Sequence, residues 1–344
     1  MNKYWNGKNV FVTGATGFIG SWLTKHLVDL GANVVTLVRD QNPQSELIRS
    51  GYLQKIQIVN GDLENYKTIE RAICEYQIDT VYHLGAQTQV TNAIYSPRNT
   101  FETNIRGTYN LLEACRLMKR FVKCIIIASS DKAYGESECL PLTEKTPLNA
   151  IYPYDVSKAC TDLIALSYYH TYDLPVAITR SSNVYGGGDF NWDRLIPGVI
   201  RSLFRDQRPV LRSDGSFLRD YLFIEDMVYG YLILGKKFLS EGLMGQVFNF
   251  GTNSPQTVLE ICDHLAKFIG KEHLKPVFEN TAEAEIKDQY LSIEKAQNLL
   301  NWKPRCELSS GLELTVDWYR QYFAQKNLEK YRTSTVAQFV TELI

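Results

Sequence analysis

The chain has 344 residues, of which 44% are hydrophobic, and its formal net charge is −1. This length is sufficient for one large domain or for two smaller ones that share a core. Because charge is nearly balanced and no run of like charges stands out, the composition gives no support for binding nucleic acid or a membrane surface, and we expect neither partner.

The cysteine and histidine patterns argue against disulfides and metal sites. The seven cysteines are dispersed, with no C-x-x-C pair, which predicts reduced thiols in a cytoplasmic protein. The five histidines show no metal-binding spacing, so we predict no metal. The start of the chain has no signal-peptide pattern, and no apolar stretch approaches the roughly 18 residues that a membrane span needs.

The first half of the chain alternates short β-branched runs with helical patterns such as Ser21–Leu30. The runs are apolar nearly throughout, as expected of parallel strands covered on both faces. This rhythm predicts an α/β fold, a Rossmann-type doubly wound parallel sheet. The predicted strands are Asn9–Thr13, Asn33–Val38, Ile56–Asn60, Thr80–His83, Cys124–Ala128 and Val176–Arg180.

The character of the sequence changes after residue 182, where a loop-rich stretch begins. We predict a dinucleotide-binding domain over residues 1–182, with a return segment near 218–250, and a smaller C-terminal substrate-binding α/β domain mainly over 183–330. The second domain includes a predicted helix at Val258–Ile269 and a strand at Pro276–Glu279. One large α/β domain with a long insertion is the alternative. Residues 331–344 are predicted to form a C-terminal helical tail.

A glycine-rich turn with the spacing G-x-x-G-x-x-G directly follows the first predicted strand and leads into a helical pattern. Small residues let the backbone turn tightly and approach a pyrophosphate, which binds at the helix N-terminus where free N–H groups point outward. Its place between a strand and a helix makes the pattern specific for a dinucleotide site. The residues concerned are Gly14, Thr16, Gly17, Phe18, Ile19 and Gly20.

The end of the second strand leaves open whether the cofactor is NAD or NADP. A terminal acid would accept hydrogen bonds from the ribose hydroxyls of NAD. Here Val38 is followed by Arg39, which favours the 2′-phosphate of NADP, and by Asp40, which favours NAD. Solvated loop charges are a third interpretation of both. Asp62 and Leu63 follow the third strand, where the adenine is expected.

Further motifs occur in the order typical of one enzyme family. With the glycine turn, they make the chain, from about Lys8 to Pro304, resemble the extended short-chain dehydrogenase/reductases, the family of nucleotide-sugar epimerases and 4,6-dehydratases. The resemblance implies an NAD(P)-dependent enzyme, a nucleotide-diphosphate sugar as substrate, and cofactor contacts from Leu84, Ala86, Gln87 and Asn104. The motifs are His83-Leu84-Gly85-Ala86-Gln87, Thr103-Asn104-Ile105-Arg106-Gly107-Thr108, Ser129-Ser130-Asp131-Lys132-Ala133-Tyr134-Gly135, Tyr154-x-x-x-Lys158 and Arg219-Asp220-Tyr221.

Tyr154 and Lys158 are four residues apart and so are neighbours on one helix face. A phenol with an ordinary pKa of about 10 is a poor base at neutral pH. The resemblance implies that Tyr154 takes the proton of a sugar hydroxyl, that Lys158 binds the nicotinamide ribose and lowers the pKa of Tyr154, and that Ser130 completes the set. Standing alone, the pattern would more often be two surface residues of a helix.

Asp131 and Lys132 bear on the subclass. A 4-epimerase of this family needs only the serine, tyrosine and lysine, whereas a 4,6-dehydratase also needs an acid for the hydroxyl leaving carbon 6 and a base for the proton on carbon 5. The Asp-Lys pair is similar to that of CDP-glucose 4,6-dehydratases and of inverting UDP-N-acetylglucosamine dehydratases, and Tyr185–Asp189 with Asp193–Pro197 resembles the CDP-glucose enzymes in particular. As an ammonium, Lys132 is no base, so it is either neutralised by burial or polarises the keto intermediate. A loop ion pair in a 4-epimerase is the alternative.

The substrate diphosphate needs cations with two parallel donors, for which guanidinium groups are suited. The candidates are Asn183, Arg194 and Arg219, with Leu195 beside them, and Arg212 and Lys287 for the nucleotide end. Any of these arginines alone could equally be surface charge.

Relatives pair two helices from each subunit into a two-fold bundle. In this chain the matching segments are Phe101–Met118 and Tyr154–Tyr172, both helical by pattern. We therefore predict a homodimer with an isologous interface.

Overall fold

The computed structural model describes residues 1–281 and 286–341, with side chains described as far as residue 326. The strands are β1 (Asn9–Thr13), β2 (Asn33–Val38), β3 (Gln57–Asn60), β4 (Thr80–His83), β5 (Cys124–Ser130), β6 (Val176–Ser181), β7 (Asn183–Tyr185), β8 (Val210–Leu211), β9 (Leu218–Arg219), β10 (Tyr221–Phe223), β11 (Val247–Phe250), β12 (Gln256–Thr257), β13 (Val277–Phe278) and β14 (Asp288–Gln289).

The helices alternate with these strands through the first half of the chain. They are α1 (Asn2–Trp5), α2 (Phe18–Asp29), α3 (Glu46–Arg49), α4 (Tyr66–Glu75), α5 (Val90–Tyr95), α6 (Pro97–Phe101), α7 (Gly107–Leu117), α8 (Pro153–Tyr172), α9 (Leu195–Phe204), α10 (Ile224–Lys237), α11 (Val258–Ile269) and α12 (Leu308–Thr341). Short 3₁₀ turns lie at Tyr52–Lys55 and Asp131–Tyr134, and π-helical turns at Glu102–Arg106 and Ala296–Leu300.

A seven-stranded sheet in the order β11-β6-β5-β4-β1-β2-β3 forms the centre of the fold, and every pairing in it is parallel. The predicted doubly wound Rossmann-type sheet is therefore confirmed. The central strands are buried along nearly their whole length because helices cover both faces, which explains their continuous apolar runs. The strand order reverses between β1 and β4, the position at which ligands bind in such sheets.

Most predicted elements have bounds within one to three residues of those observed. The helix predicted from Ser21 begins at Phe18, directly after the glycine turn. The helix predicted over Phe101–Met118 is interrupted, since the chain passes through the π-helical turn Glu102–Arg106 before α7 begins. Strand β11 at the edge of the sheet was not among the predicted strands.

The remaining strands form small sheets beside the large one, in the orders β10-β7, β12-β9-β14 and β13-β8. The last helix, α12, extends to Thr341, and residues 342–344 of the predicted tail lie outside the described residues. The division into two domains at residue 183 stays a prediction. Within the described ranges, the model contains no helix with both the length and the apolar character for a membrane span.

Candidate active site

The glycine turn is shaped for a close approach of backbone and ligand. Gly14 has a φ of +72°, and a Cβ added there would lie 2.7 Å from the amide nitrogen of Gly85. Gly17 is the N-cap of α2 and provides no side-chain cap, so the first N–H groups of this 12-residue helix are left for a ligand. Both features fit the pyrophosphate of a dinucleotide, as the spacing predicts.

The turn opens into a cleft of about 1050 Å³ at the carboxyl ends of the central strands. Most of the predicted cofactor residues line it, including both charges after β2. Arg39 and Asp40 form an exposed ion pair there, with 2.7 Å between Nε and Oδ2. The predicted cofactor residues in the lining are Gly14, Thr16, Gly17, Phe18, Ile19, Gly20, Arg39, Asp40, Asp62, Leu63, Leu84, Ala86, Tyr154 and Lys158.

Two predicted cofactor residues, Gln87 and Asn104, are not in this lining. Asn104 is buried, and its Oδ1 accepts a hydrogen bond of 2.7 Å from the backbone N–H of Gln87. Its Nδ2 donates to the Gln87 carbonyl at 3.0 Å and to Ser157 Oγ at 2.8 Å. In this structure Asn104 therefore holds the loop after β4 rather than facing the cleft.

His83, the last residue of β4, also stabilises the loop that follows this strand. The imidazole is buried, with Nδ1 at 2.8 Å from Thr13 Oγ1 and Nε2 at 3.2 Å from Thr108 Oγ1. Burial, and secondarily the charge of Lys158, lowers the pKa of His83 to about 3, so the ring is neutral. The Thr13 hydroxyl in turn accepts a 3.0 Å hydrogen bond from the N–H of Gly85. The network fixes the backbone against which Gly14 packs.

A hydroxyl and a carboxyl line the cleft where β5 ends. They belong to Ser130, the last residue of this strand, and to Asp131. Ser130 Oγ donates to Asp131 Oδ1 at 3.0 Å and accepts from the N–H of Lys132 at 3.2 Å. Asp131 is only 3% exposed. Its Oδ2 is buried and has no hydrogen-bond partner among the described residues. One carboxyl oxygen is thus fixed by Ser130 while the other is left for a ligand.

Tyr154 lies in the first turn of α8 and also lines the cleft. Burial raises the pKa of its phenol to about 12, while the nearby guanidinium of Arg194 and the hydroxyl of Ser130 lower it. The lowering of this pKa that the sequence predicts, by Lys158 together with a bound nicotinamide ring, stays a prediction. Because Tyr154 is shielded from water, its ionised form depends on Arg194 and on the positive charge of a bound nicotinamide.

Lys158, one turn further along α8, is buried and donates from Nζ to the Ala128 carbonyl at 2.8 Å. Burial lowers the pKa of its ammonium to about 8, and Asp162 opposes this shift. The ammonium is fixed at the end of β5, where it lines the cofactor side of the cleft.

Gln289 is a residue of the site that sequence reasoning missed. It is fully buried on β14, where its Oε1 accepts a hydrogen bond from Nζ of Lys132 and its Nε2 donates to the Asp131 carbonyl at 3.0 Å. The side chain joins the two residues of the Asp-Lys pair from 157 positions away in the sequence. No local pattern around Gln289 indicates this contact.

Asp155 is a second functional candidate that the sequence did not reveal. It follows Tyr154 on α8, is only 5% exposed and lines the same cleft. Burial raises the pKa of its carboxyl to about 6, which the ammonium of Lys132 partly opposes. Its place in the Y-x-x-x-K helix was visible, but its orientation toward the cleft was not.

The predicted substrate residues Asn183, Arg194, Leu195, Arg212 and Arg219 line the far end of the cleft. The guanidinium of Arg194 pairs with Asp189 Oδ2 at 3.0 Å. Arg219 donates to the carbonyls of Ile286 and Lys287, at 2.5 and 2.7 Å. Lys287 does not line the cleft. It contributes to the site through its backbone carbonyl, which accepts the hydrogen bond from Arg219.

The fold and the site together define a Rossmann-type enzyme with a dinucleotide loop, a serine–tyrosine–lysine set and a cationic end to its cleft. Residues 11–315 match the family model described as GDP-mannose 4,6 dehydratase. A CDP-glucose 4,6-dehydratase of Salmonella typhimurium is 30% identical over 342 residues, covering 95% of this chain and 94% of that protein.

Solved structures of related enzymes share the fold. An epimerase from Methanothermobacter thermautotrophicus aligns with a TM-score of 0.86 and 28% identity, covering 97% of this chain and 96% of that one. A dTDP-glucose 4,6-dehydratase from Bacillus anthracis, solved in complex with NAD, aligns with a TM-score of 0.82 and 27% identity, covering 92% and 97%. This chain belongs to the NAD-dependent nucleotide-sugar epimerase/dehydratase family, as its motifs predict.

Proposed function

We propose that this enzyme is a nucleotide-hexose 4,6-dehydratase, which converts its substrate to a 4-keto-6-deoxy sugar. The observation that carries the proposal is the buried Oδ2 of Asp131, which has no hydrogen-bond partner in the part of the chain that the structure describes and lies in the same cleft as Ser130 and Tyr154. An epimerase has no proton to deliver at carbon 6 and needs no such group. The similarity to the CDP-glucose 4,6-dehydratase of Salmonella typhimurium supports the same choice and makes CDP-glucose the first substrate to test.

The chemistry at carbon 4 uses Tyr154 as the base. The Tyr154 phenolate takes the proton of the carbon-4 hydroxyl, and the cation of Arg194 favours that phenolate. A bound dinucleotide would supply the hydride acceptor for carbon 4 and the hydride donor for carbon 6. We assign the nicotinamide ribose to Lys158, whose ammonium is held by its hydrogen bond to the Ala128 carbonyl.

The elimination step uses Asp131 as the acid. The keto group at carbon 4 makes the proton on carbon 5 acidic, and loss of that proton is coupled to loss of the carbon-6 hydroxyl. Asp131 donates its proton to this hydroxyl, which leaves as water. Ser130 orients the carboxyl through Oδ1, so that Oδ2 faces the substrate.

NAD is the proposed cofactor, although the sequence alone left NADP open. A 2′-phosphate would need the guanidinium of Arg39, but the Asp40 carboxylate pairs with its Nε at 2.7 Å and sets a negative charge beside it that would repel a phosphate. Related enzymes solved with NAD support this choice.

For the rest of the substrate, we assign the diphosphate to Asn183, Arg194 and Arg219, with Arg212 toward the nucleotide. The guanidinium of Arg219 donates to three backbone carbonyls, those of Leu218, Ile286 and Lys287, which fix its cation at the cleft. The pattern of reduced cysteines, all free in the structure, supports the proposed cytoplasmic location.

A homodimer is the proposed assembly, formed through the outer faces of α7 and α8. Large apolar side chains are exposed on both helices: Tyr109 is 41% exposed, Leu163 59% and Tyr172 45%. One such face on each subunit suits an isologous interface of four helices.

The test of the proposed function is incubation of the purified protein with CDP-, dTDP- and UDP-glucose and GDP-mannose, followed by mass spectrometry. We expect loss of one water from at least one of these sugars, without net accumulation of free reduced cofactor. Interconversion of carbon-4 epimers without water loss would instead establish a 4-epimerase.

A further inference from the structure

One buried side chain contacts both residues of the Asp-Lys pair. Gln289 is fully buried on β14, and its Oε1 accepts a hydrogen bond from Nζ of Lys132. Its Nε2 donates to the backbone carbonyl of Asp131 at 3.0 Å. A carboxamide has an acceptor and a donor on one planar group, and these partners fit it in one orientation, because the amine donates and the carbonyl accepts. The amide therefore fixes the backbone of Asp131 and the end of the Lys132 side chain together.

The segment that carries Gln289 is itself held from two sides. On one side β14 pairs in parallel with β9, and Gln289 lies opposite Arg219 in the register. On the other side, the N–H of Leu142 donates to the carbonyl of Tyr290 at 2.9 Å, and the N–H of Ser292 donates to the Leu142 carbonyl at 2.8 Å. Because the backbone is held on both sides, the Gln289 amide is fixed against the Asp-Lys pair.

The same segment connects the Asp-Lys pair to the end of the cleft that we assign to the substrate diphosphate. Two of the carbonyls that accept hydrogen bonds from the Arg219 guanidinium, those of Ile286 and Lys287, belong to the residues that lead into β14. In addition, the N–H of Leu218 on β9 donates to Oδ1 of Asp288 at 3.1 Å. The cation proposed for the diphosphate and the amide that contacts the Asp-Lys pair are therefore held by one pair of strands.

The role proposed for Asp131 depends on where its carboxyl lies. Ser130 Oγ donates to Oδ1 at 3.0 Å and so fixes the rotation of the carboxyl. The hydrogen bond from Gln289 fixes the backbone from which this side chain extends. A proton donor must lie within hydrogen-bond reach of the leaving hydroxyl, and a misplacement of about 1 Å can cost roughly 100-fold in rate. Both anchors are therefore needed to aim Oδ2 at the substrate.

We propose that Gln289 is a positioning residue for the elimination of water, an inference that rests on the proposed dehydratase function. Gln289 does not line the cleft, so it acts through Asp131 and Lys132 and not on the substrate. Within the described residues, its amide makes no hydrogen bond to Tyr154 or Lys158, which serve the oxidation at carbon 4. Water elimination should therefore depend on Gln289, whereas oxidation at carbon 4 should not.

The experiment replaces Gln289 in the holoenzyme and measures the two steps separately. Gln289→Leu removes both hydrogen bonds and should lower water elimination by about 100-fold, while oxidation at carbon 4 stays within about threefold of the wild type. With substrate present, this variant should accumulate enzyme-bound reduced cofactor. Single-turnover absorbance in the near ultraviolet reports the oxidation, and mass spectrometry of the nucleotide sugar reports the water loss.

A second variant of the same shape makes the test independent of the folding of Gln289→Leu. Gln289→Glu keeps the acceptor for Lys132 but, as a carboxylate, has no donor for the Asp131 carbonyl. It should again lower elimination more than oxidation, and it should retain more of the elimination rate than Gln289→Leu does. Circular dichroism confirms which variants are folded.

Gln256→Leu is the matched control. Gln256 lies on β12, the other neighbour of β9, and is also opposite Arg219 in the register. Its Nε2 donates to the Pro255 carbonyl at 3.1 Å, away from the Asp-Lys pair, and its side chain does not line the cleft. The same chemical change in the same small sheet should therefore leave both rates unchanged.

Elimination by a folded Gln289→Leu variant within about threefold of the wild type would overturn the proposal, since the loss of positioning costs far more. So would an equal fall of oxidation and elimination in the folded variants, which would show that Gln289 only stabilises the fold. A wild-type enzyme that releases no water from any nucleotide sugar would instead refute the proposed function itself, so the two failures are distinguishable.

Discussion

The hydroxyl of Ser130 donates a hydrogen bond to Oδ1 of Asp131 over 3.0 Å. The same hydroxyl also lowers the pKa of Tyr154, so it lies between the base of the oxidation and the acid of the elimination. A serine hydroxyl has one proton to donate. When Tyr154 ionises, the Ser130 hydroxyl can donate its hydrogen bond to the phenolate instead of to Asp131. One side chain thereby links the oxidation at carbon 4 to the elimination of water.

Ser130→Ala tests this link. Removing the hydroxyl takes a donor from both Tyr154 and Asp131, so both oxidation at carbon 4 and water loss should fall, by roughly 100- to 1,000-fold as for one preorganised donor. Single-turnover absorbance in the near ultraviolet reports the oxidation, and mass spectrometry the water loss. Ser167→Ala on the exposed face of α8 is the control. A variant that loses only elimination would remove Ser130 from the chemistry at carbon 4.

The pH dependence of the rate should reveal the contact between Arg194 and Tyr154. The active form of Tyr154 is the phenolate, so the rate rises with pH toward the pKa of that group. Arg194 lowers this pKa by favouring the anion, and Arg194→Gln should therefore shift the rising limb of log kcat to higher pH.

Arg194→Lys keeps a cation and is the matched control, which should retain most of the wild-type profile. Because Arg194 also faces the substrate end of the cleft, both variants should raise KM. An increase in KM with no shift of the kcat profile would restrict Arg194 to substrate binding.

Cofactor choice should respond to Asp40 more than to Arg39. Asp40→Ala removes the carboxylate that pairs with Arg39 and so should improve NADP binding relative to NAD, by about 10-fold for a gain near 1.4 kcal/mol. Arg39→Ala should change NAD binding little. Isothermal titration with each dinucleotide measures both effects. An Asp40→Ala variant with the same ratio of NADP to NAD affinity as the wild type would contradict the proposed role of Asp40.

The proposed dimer predicts a specific disruption. Leu163 on α8 is 59% exposed, and Leu163→Glu would place a charge in the apolar centre of the interface, where it is strongly unfavourable. Sedimentation at micromolar concentration should show a dimer for the wild type and a monomer for this variant. Leu314→Glu on α12, at a residue of similar exposure (56%), should remain dimeric. A monomeric wild type would exclude the proposed assembly.

Much of the Rossmann core could be predicted from the sequence because its strands are continuous apolar runs. β1, β2 and β4 have the predicted bounds, since each lies buried between two neighbours. β11 was missed because Asn249, a polar residue, interrupts its apolar run. Asn249 is tolerated in the core because it accepts a 2.7 Å hydrogen bond from the Tyr134 hydroxyl, a tertiary contact that no local pattern indicates.

The candidate site likewise contains residues that the sequence predicts and residues that it does not. Ser130, Tyr154 and Lys158 belong to motifs with fixed spacing, so their approach follows from the strand–helix geometry. Gln289 reaches the Asp-Lys pair only because β14 pairs with β9 beside the cleft, which is a long-range consequence of folding. Asn104 belongs to one of the motifs that predict cofactor contacts. In the structure, however, its buried side chain donates a hydrogen bond to Ser157 and does not face the cleft. Spacing therefore predicts which residues come together, while packing decides which of them face the ligand.

The Asp131→Asn variant tests the dehydratase assignment directly. The amide has nearly the same shape as the carboxyl and can keep the hydrogen bond with Ser130, but it has no proton to give to a leaving hydroxyl. Water elimination should therefore fall by about 100- to 10,000-fold, as for loss of a general acid. Oxidation at carbon 4 should survive because Ser130, Tyr154 and Lys158 are untouched.

With substrate present, Asp131→Asn should therefore accumulate enzyme-bound reduced cofactor, visible in the near ultraviolet, with little 4-keto-6-deoxy product. Asp193→Asn, an exposed carboxyl at the rim of the cleft, makes the same chemical change away from Ser130 and should keep the ratio of oxidation to elimination seen in the wild type. A 4-epimerase would not need this carboxyl, because neither of its half-reactions uses a proton from Asp131. If the wild type interconverts carbon-4 epimers and Asp131→Asn does so at the same rate, the unpartnered Oδ2 has no catalytic use and the 4-epimerase assignment takes the place of the dehydratase.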